Sequence, residues 1–277
     1  MQYTDSELNR LHAELEDILK EIIRVCDILD IHYFIQGGTA IGAFFNKGFV
    51  PWDDDIDLGM LRPDYERFIK EAPAILSDKY FLQHFSTENL TPFYFVKVRK
   101  SGTLFVEEPY KDMKIHQGIF VDVFPYDNVP DSTGMEVIHR RAVQYFEGAF
   151  KRRQMASAIR ESIGNLPRGV ALPIFFLWRG LICLFPRKLF YKLLTYAQGA
   201  FNKKQCKYVS IVKMPLDQIA YNSVNPPVLM EFEGISVLAP ADVEVYLRHH
   251  YPHLSPTLPK EKQVNHAPYI LFFSLEQ

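Results

Sequence analysis

The chain has 277 residues, 48% of them hydrophobic and 14% aromatic, with a net charge of −2. So much apolar material can fill a substantial core and excludes a disordered chain, and the length allows one large domain or two modest ones. The near-neutral balance lacks the basic surplus of a bulk nucleic-acid binder.

Three cysteines, Cys26, Cys183 and Cys206, are odd in number, widely spaced and without a CxxC pair. They point to a reducing compartment and to packing rather than to a disulfide framework. The chain opens on an acidic, helix-like segment in place of a basic stretch with an apolar core, so a secretory leader is not expected. A cytoplasmic protein is the resulting expectation.

Residues 5–29 carry Leu8, Leu11, Leu15, Ile18, Leu19, Ile22, Cys26 and Leu29 at spacings of three and four, which predicts an amphipathic helix. Thr4 and Glu7 fit a capping box at its start. "HYFI" reads as a short strand ending at Gln36-Gly37-Gly38-Thr39, and "TAIGAFFN" as the start of a second helix. "RPDYERFIKEAPAIL" follows as a helix with Pro63 in its first turn. "YFLQHF", "FYFVKVRK" and "GIFVDVFP" are β-rich runs between polar turns. From about residue 132 to about 202 the texture turns helical, and mixed short elements return after it. The order predicts an α+β fold. A mixed-sheet core with flanking helices would occupy residues 1–130, a helical lobe 131–205, and a C-terminal segment packing on the core 206–277.

"VALPIFFLWRGLICLF", residues 170–185, is nearly all apolar but holds Pro173 and Arg179. It is short for a bilayer span, and a central arginine is costly there. A buried helix is the plain reading. A monotopic contact through residues 168–188 with the inner face of an anionic membrane is the other, since Lys151, Arg152, Arg153, Arg168, Arg187 and Lys188 flank it.

The chemistry concentrates in "GFVPWDDDIDLGM", residues 48–60. Crowded carboxylates repel one another, and each is penalised by burial unless something positive neutralises it. If residues 54–58 begin a strand, Asp53, Asp55 and Asp57 share one face, Ile56 and Leu58 enter the core, and Asp54 points away. Asp55 and Asp57 would then stand about 6–7 Å apart at Cα, close enough to hold a hard divalent cation. "GIFVDVFP" places Asp122 alone in an apolar run, and a strand beside the first would make it the third carboxylate. The Gly37-Gly38-Thr39 turn offers backbone N–H groups at a helix start, suited to phosphate. An EF-hand loop does not fit, because Leu58 stands where its glycine belongs and Asp64 where its glutamate belongs.

A glycine turn, an acidic-apolar-acidic strand and a later single acid together resemble the nucleotidyltransferase superfamily, although the spacer from Thr39 is longer than its commonest form. A narrower resemblance is carried by "GGTAIGAFFNKGFVPWDDDIDLGM", "VRKSGT" at 98–103, "GIFVDVFPYD" at 118–127 and "FEGISVLAPADVEVYLRHHYP" at 232–252. These are similar to the signature of the LicD family of phosphotransferases, with fukutin-like relatives. The resemblance spans most of the chain, but the helical block from 132 to 202 carries little of it.

That resemblance implies transfer of a phospho-alcohol, typically phosphocholine, from a CDP-activated donor to a hydroxyl of a glycan or its lipid-linked precursor, as in lipopolysaccharide or teichoic acid synthesis. Mg²⁺, with Mn²⁺ as alternative, would sit on Asp55, Asp57 and Asp122. Asp53 or Asp54 would reach a second ion through water, orient a ligand or act as base, and the sequence does not choose. Lys97 and Arg99 alternate on one strand face, which suits either phosphate contact or a solvated edge strand. Gln36 and Thr39 would touch phosphate, orient the carboxylates or form the turn. Trp52 would stack on cytosine or choline, or pack the loop. His116 and His266 are unpaired acid–base candidates against a default surface or core role. The rival functions are a general nucleotidyltransferase acting on a nucleoside triphosphate and a non-catalytic nucleotide-binding protein.

Overall fold

The first helix forms where the periodicity places it. α1 spans Asp5–Leu29 and buries Leu11, Leu15, Ile18, Leu19, Ile22 and Val25 on one face. The Thr4–Glu7 capping box is closed in both directions, and such a cap contributes about 1 kcal/mol. Asp30 ends the helix in the left-handed conformation. The computed structural model describes residues 3–152, 180–212, 218–255, 263 and 265–274.

A mixed sheet lies under α1. Its strands are β1 (Phe34–Ile35), β2 (Asp57–Leu61), β3 (Tyr80–Gln83), β4 (Val96–Lys100) and β6 (Phe120–Val129), in the order β1-β2-β6-β4-β3. β2 and β6 run parallel and the other neighbours antiparallel. Between β1 and β2 comes α2 (Gly37–Asn46), and α3 (Arg62–Glu71) follows β2 with Pro63 in its first turn. The sheet and helices share one core that includes Ile35, Ile56, Leu58, Met60, Phe68, Val96, Val98, Val121 and Val123.

Three expectations shift. "HYFI" contributes only its last two residues to β1. The acidic strand begins at Asp57 rather than 54, although Asp122 N already donates to Ile56 O at 3.0 Å. β4 is not a solvated edge, because β6 and β3 flank it on both sides.

β5 (Leu104–Val106) pairs antiparallel with β11 (Ile270–Phe272), a ribbon across a long sequence separation. α4 (Thr133–Arg152) and α5 (Arg187–Gln198) pack as a pair. Val143, Phe150, Phe190 and Leu194 from these helices form a second cluster with Phe93, Tyr94, Phe95 and Val129. β7 (Tyr208–Ser210) and β8 (Ile219–Ala220) extend the far end of β6. α6 (Tyr221–Val224), the β9–β10 hairpin (Val228–Phe232, Ile235–Ala239) and α7 (Val243–His250) then return the chain to the main core through Val224, Phe232, Val237 and Leu247. The architecture is α+β.

No described helix is long and apolar enough to cross a membrane. Residues 168–179 of the membrane-contact segment lie outside the described residues. Within 180–185, Ile182 is buried in the second cluster, whereas Leu181, Leu184 and Phe185 are exposed.

Candidate active site

The site is built at the parallel seam between β2 and β6, where Asp57 pairs with Asp122 in register. β4 lies on the other side of β6 and brings Lys97 opposite Asp122. Three charged residues thus meet across three adjacent strands by register alone. A turn at residues 51–52 leads into the loop that carries Asp53 and Asp55.

α2 points its N-terminus at these carboxylates. Gln36 is the N-cap and offers no side-chain cap, so the first-turn N–H groups keep their positive partial charge. Gly37 is left-handed, at φ 58°, and a Cβ there would lie 3.2 Å from Asp57 Oδ2. At Gly38 a Cβ would stand 2.1 Å from Asp53 Oδ2, an impossible contact. The glycine pair therefore exists to let two carboxylates approach the helix start. Thr39 Oγ1 accepts from Asp57 N at 2.9 Å, and Gln36 Oε1 accepts from the Tyr126 hydroxyl at 2.7 Å. Both side chains are buried and hold the strand ends in place.

The charges are mutually felt. Burial pushes Asp53 up to about 7, helped by Asp55 and Asp54. Burial raises Asp55 too, followed by the charge of Asp54. Asp57 rises well above the carboxylate range through burial and then through Asp55, Asp122 and Asp53. Burial pushes Asp122 up to about 6 against the pull of Lys97. Such frustration at neutral pH is what a bound cation relieves.

Lys97 is almost fully buried. Its Nζ lies 2.9 Å from Asp122 Oδ1 and donates to Oδ2 at 3.1 Å. The ammonium sits 3.4 Å from the Phe120 ring centroid, with the Phe93 ring at 4.6 Å. Asp122 Oδ1 has a nearby charge but no hydrogen bond, although it is buried. Arg99 sits elsewhere than at an open phosphate contact. It is 2% exposed, and its guanidinium donates to Gln83 Oε1 at 2.5 Å and Gly118 O at 2.6 Å. Alternation along β4 correctly puts it on Lys97's face, but that face is covered here.

Asp54 is bonded to segments outside the seam, although one of its oxygens lies within 4.8 Å of one of Asp55's. It is 2% exposed and accepts from the Tyr3 hydroxyl at 2.8 Å and from His266 N at 3.0 and 3.1 Å. Its carboxylate thus anchors the loop to two distant segments. The backbone of Asp53 is held as well, its carbonyl 2.7 Å from His12 Nε2, and that ring stacks on Phe49.

Among the described residues, the three donor atoms that lie within 4.8 Å of one another belong to Asp54, Asp55 and His266. Asp54 already spends its oxygens on Tyr3 and His266, which makes that group a poor cradle. The Asp55, Asp57 and Asp122 carboxylates are brought to one place without being drawn to that distance. Their all-oxygen character and the unbonded Asp122 oxygen fit a hard divalent ion.

Trp52 is half-buried at the turn ahead of the run. His116 stacks on Phe81 and accepts from Gly118 N, away from the carboxylates, whereas the His266 ring is 79% exposed and 3.8 Å from Asp54 Oδ1. Sequence reasoning missed Glu107, whose carboxylate lies 3.9 Å from Lys97 Nζ. Its glutamate-glutamate-proline context gave no chemical pattern to read.

With this geometry in view, the comparisons are specific. Residues 30–155 match the family profile described as LicD/FKTN/FKRP, nucleotidyltransferase domain. Over that span the chain is similar to the LicD/FKTN/FKRP family. The chain is 28% identical over 271 residues to lipopolysaccharide cholinephosphotransferase LicD of Haemophilus influenzae, covering 90% of this chain and 92% of that protein. It is 25% identical over 97 residues to human ribitol 5-phosphate transferase FKRP, covering 34% of this chain and 19% of that one. The LicD/FKTN/FKRP match contains every residue of the acidic seam, from Gln36 through Asp57 and Lys97 to Asp122.

Proposed function

We propose that this chain is a metal-dependent transferase that moves a phospho-alcohol, in the first instance phosphocholine, from a CDP-activated donor to a hydroxyl of a cell-surface glycan or its lipid-linked precursor. The observation that carries the reading is the in-register pairing of Asp57 with Asp122 beside an uncapped, glycine-fronted helix start. That arrangement offers an acidic seat for a cation next to backbone donors for phosphate. The near full-length likeness to a cholinephosphotransferase and the shorter likeness to a ribitol 5-phosphate transferase support the phospho-alcohol class.

Asp55, Asp57 and Asp122 would hold Mg²⁺, or Mn²⁺ in its place. When bound, such an ion supplies positive charge to the pyrophosphate oxygens and the departing nucleotide. The α2 start binds phosphate through its free N–H groups, and Gly37 and Gly38 allow the approach. Thr39 and Gln36 orient the strand ends, while Lys97 keeps Asp122 charged and in place. Trp52 is proposed to border the donor's base or head group. The protein is proposed to work in the cytoplasm, with peripheral contact to the inner membrane face through residues 168–188.

Calorimetric titration of CDP-choline, CDP-ethanolamine, CDP-ribitol and CDP-glycerol, with Mg²⁺ and with EDTA, tests the reading. The expected result is magnesium-dependent binding of one of them, abolished in Asp57→Asn while the fold survives. Binding of a nucleoside triphosphate and of no CDP-alcohol would replace the reading with a general nucleotidyltransferase.

A further inference from the structure

Glu107 leaves β5 at the first residue beyond the strand and begins a single 3-10 turn, Glu108–Tyr110. The position is fixed from both sides. β5 is paired with β11, Tyr269 N donates to Val106 O at 2.8 Å, and Tyr110 N donates to Glu107 O at 2.9 Å. The Tyr110 ring packs edge-on against Phe93, one of the rings around Lys97.

This strap delivers one more carboxylate to the seam. Lys97 Nζ is shared between Asp122 Oδ1 at 2.9 Å and Glu107 Oε2 at 3.9 Å. The two acids differ in access. Side-chain exposure is 3% for Lys97 and 13% for Asp122, but 30% for Glu107, which stands at the open rim. Burial is the main reason that Asp55, Asp122 and the Tyr110 phenol titrate high, and the charge of Glu107 adds to each, so it shares their electrostatic neighbourhood.

Three roles are open to such a group, and two fit poorly. As a strut it is weak: among the described residues its carboxylate has the single long contact to Lys97. As a further metal ligand it is less well placed, because it comes from the β5–β11 ribbon, outside the sheet whose register pairs Asp57 with Asp122. A neutral hydroxyl needs no such register, and a carboxylate with a free oxygen at the rim can accept its proton.

We infer that Glu107 is the general base that receives the proton of the acceptor hydroxyl. This rests on the transferase reading above. The acceptor O–H bond breaks toward a Glu107 oxygen, and the acceptor oxygen forms a new bond to the donor phosphorus adjoining the alcohol. The bond from that phosphorus to the bridging oxygen breaks, its electrons leaving on the nucleoside monophosphate. Lys97 stabilises the carboxylate between turnovers without leaving Asp122.

The test uses the full chain with Mg²⁺ and CDP-choline, following CMP release with water as acceptor, alongside calorimetric donor affinity and thermal unfolding. Glu107→Gln is expected to slow CMP release by about 10²–10⁴-fold, with donor affinity and unfolding temperature unchanged. Glu107→Asp should fall between the two. CMP release at the wild-type rate in Glu107→Gln overturns the assignment. So does loss of donor affinity or of folding in step with the rate, which would show a binding or structural post. Wild-type protein that neither binds nor cleaves CDP-choline or the other three CDP-alcohols overturns the transferase reading itself, a result distinct from failure of Glu107 alone.

Discussion

At the scale of single residues, the acidic run divides into two duties. Asp53, Asp55 and Asp57 share a crowded field, whereas Asp54 is an anchor bonded to Tyr3 and His266. Alternation singled Asp54 out from Asp55 and Asp57 in the sequence, although the strand itself begins only at Asp57. The partners of Asp54 were not legible, since they arrive from positions 3 and 266. Arg99 shows the same boundary: alternation gave its face correctly, and only the packing of Phe93 and Phe120 shows that the face is closed. The raised carboxyls carry a stability consequence. A folded state that holds protons more tightly than the unfolded chain is stabilised at low pH and loses that contribution as pH rises through the folded values. Metal-free protein should therefore lose thermal stability between about pH 4 and about pH 7, the window set by the ordinary carboxylate value and the raised Asp122 and Asp53. Asp57→Asn removes one repelling charge, so in EDTA at neutral pH it should melt above wild type, and the gap should close in acid. Scanning calorimetry with added Mg²⁺ should stabilise the wild type and leave the variant unmoved.

At the scale of elements, one buried ion pair joins α3 to the sheet beside the end of α5. Arg62 at the start of α3 donates from Nε and Nη2 to the two oxygens of Asp127 on β6, at 2.7 and 2.5 Å. Asn202 and Gln198 complete the set around it. Asp127 is fully buried, so deleting its partner leaves an uncompensated charge. Arg62→Ala should cost about 3–5 kcal/mol in urea denaturation, and the double change Arg62→Met, Asp127→Leu far less. If both cost the same, the pair is not the join described here. Helices and strands with strong periodicity were readable in advance, including α1 and the strand bearing Asp122. The β5–β11 ribbon was not, because its halves are short and lie at opposite ends of the chain, and no local pattern reports a non-local pairing. Glu107, set beside that ribbon in a context without a chemical pattern, was invisible with it.

At the scale of the whole molecule, basic and apolar residues around α5 sort themselves differently from their order in the chain. Arg187 is turned inward onto the carbonyls of Asn89 and Thr91, whereas Lys188 and Lys192 stay exposed near Leu181, Leu184 and Phe185. The protein should sediment with anionic vesicles at low salt and be released at high salt. Equal recovery in the supernatant with and without vesicles would remove membrane contact from the proposal. β6 ties these regions together. Its ten residues carry Asp122 near one end and Asp127 further along, in one unbroken extended run flanked by partner strands. Five residues of strand make a strut of about 17 Å, stiff along its length and without a joint. A push on the helical pair would reach the acidic seam as a displacement of the entire strut, not as a bend within it. The seam and the lobe therefore share a mechanical frame, and slack between them has to come from the loops at its ends.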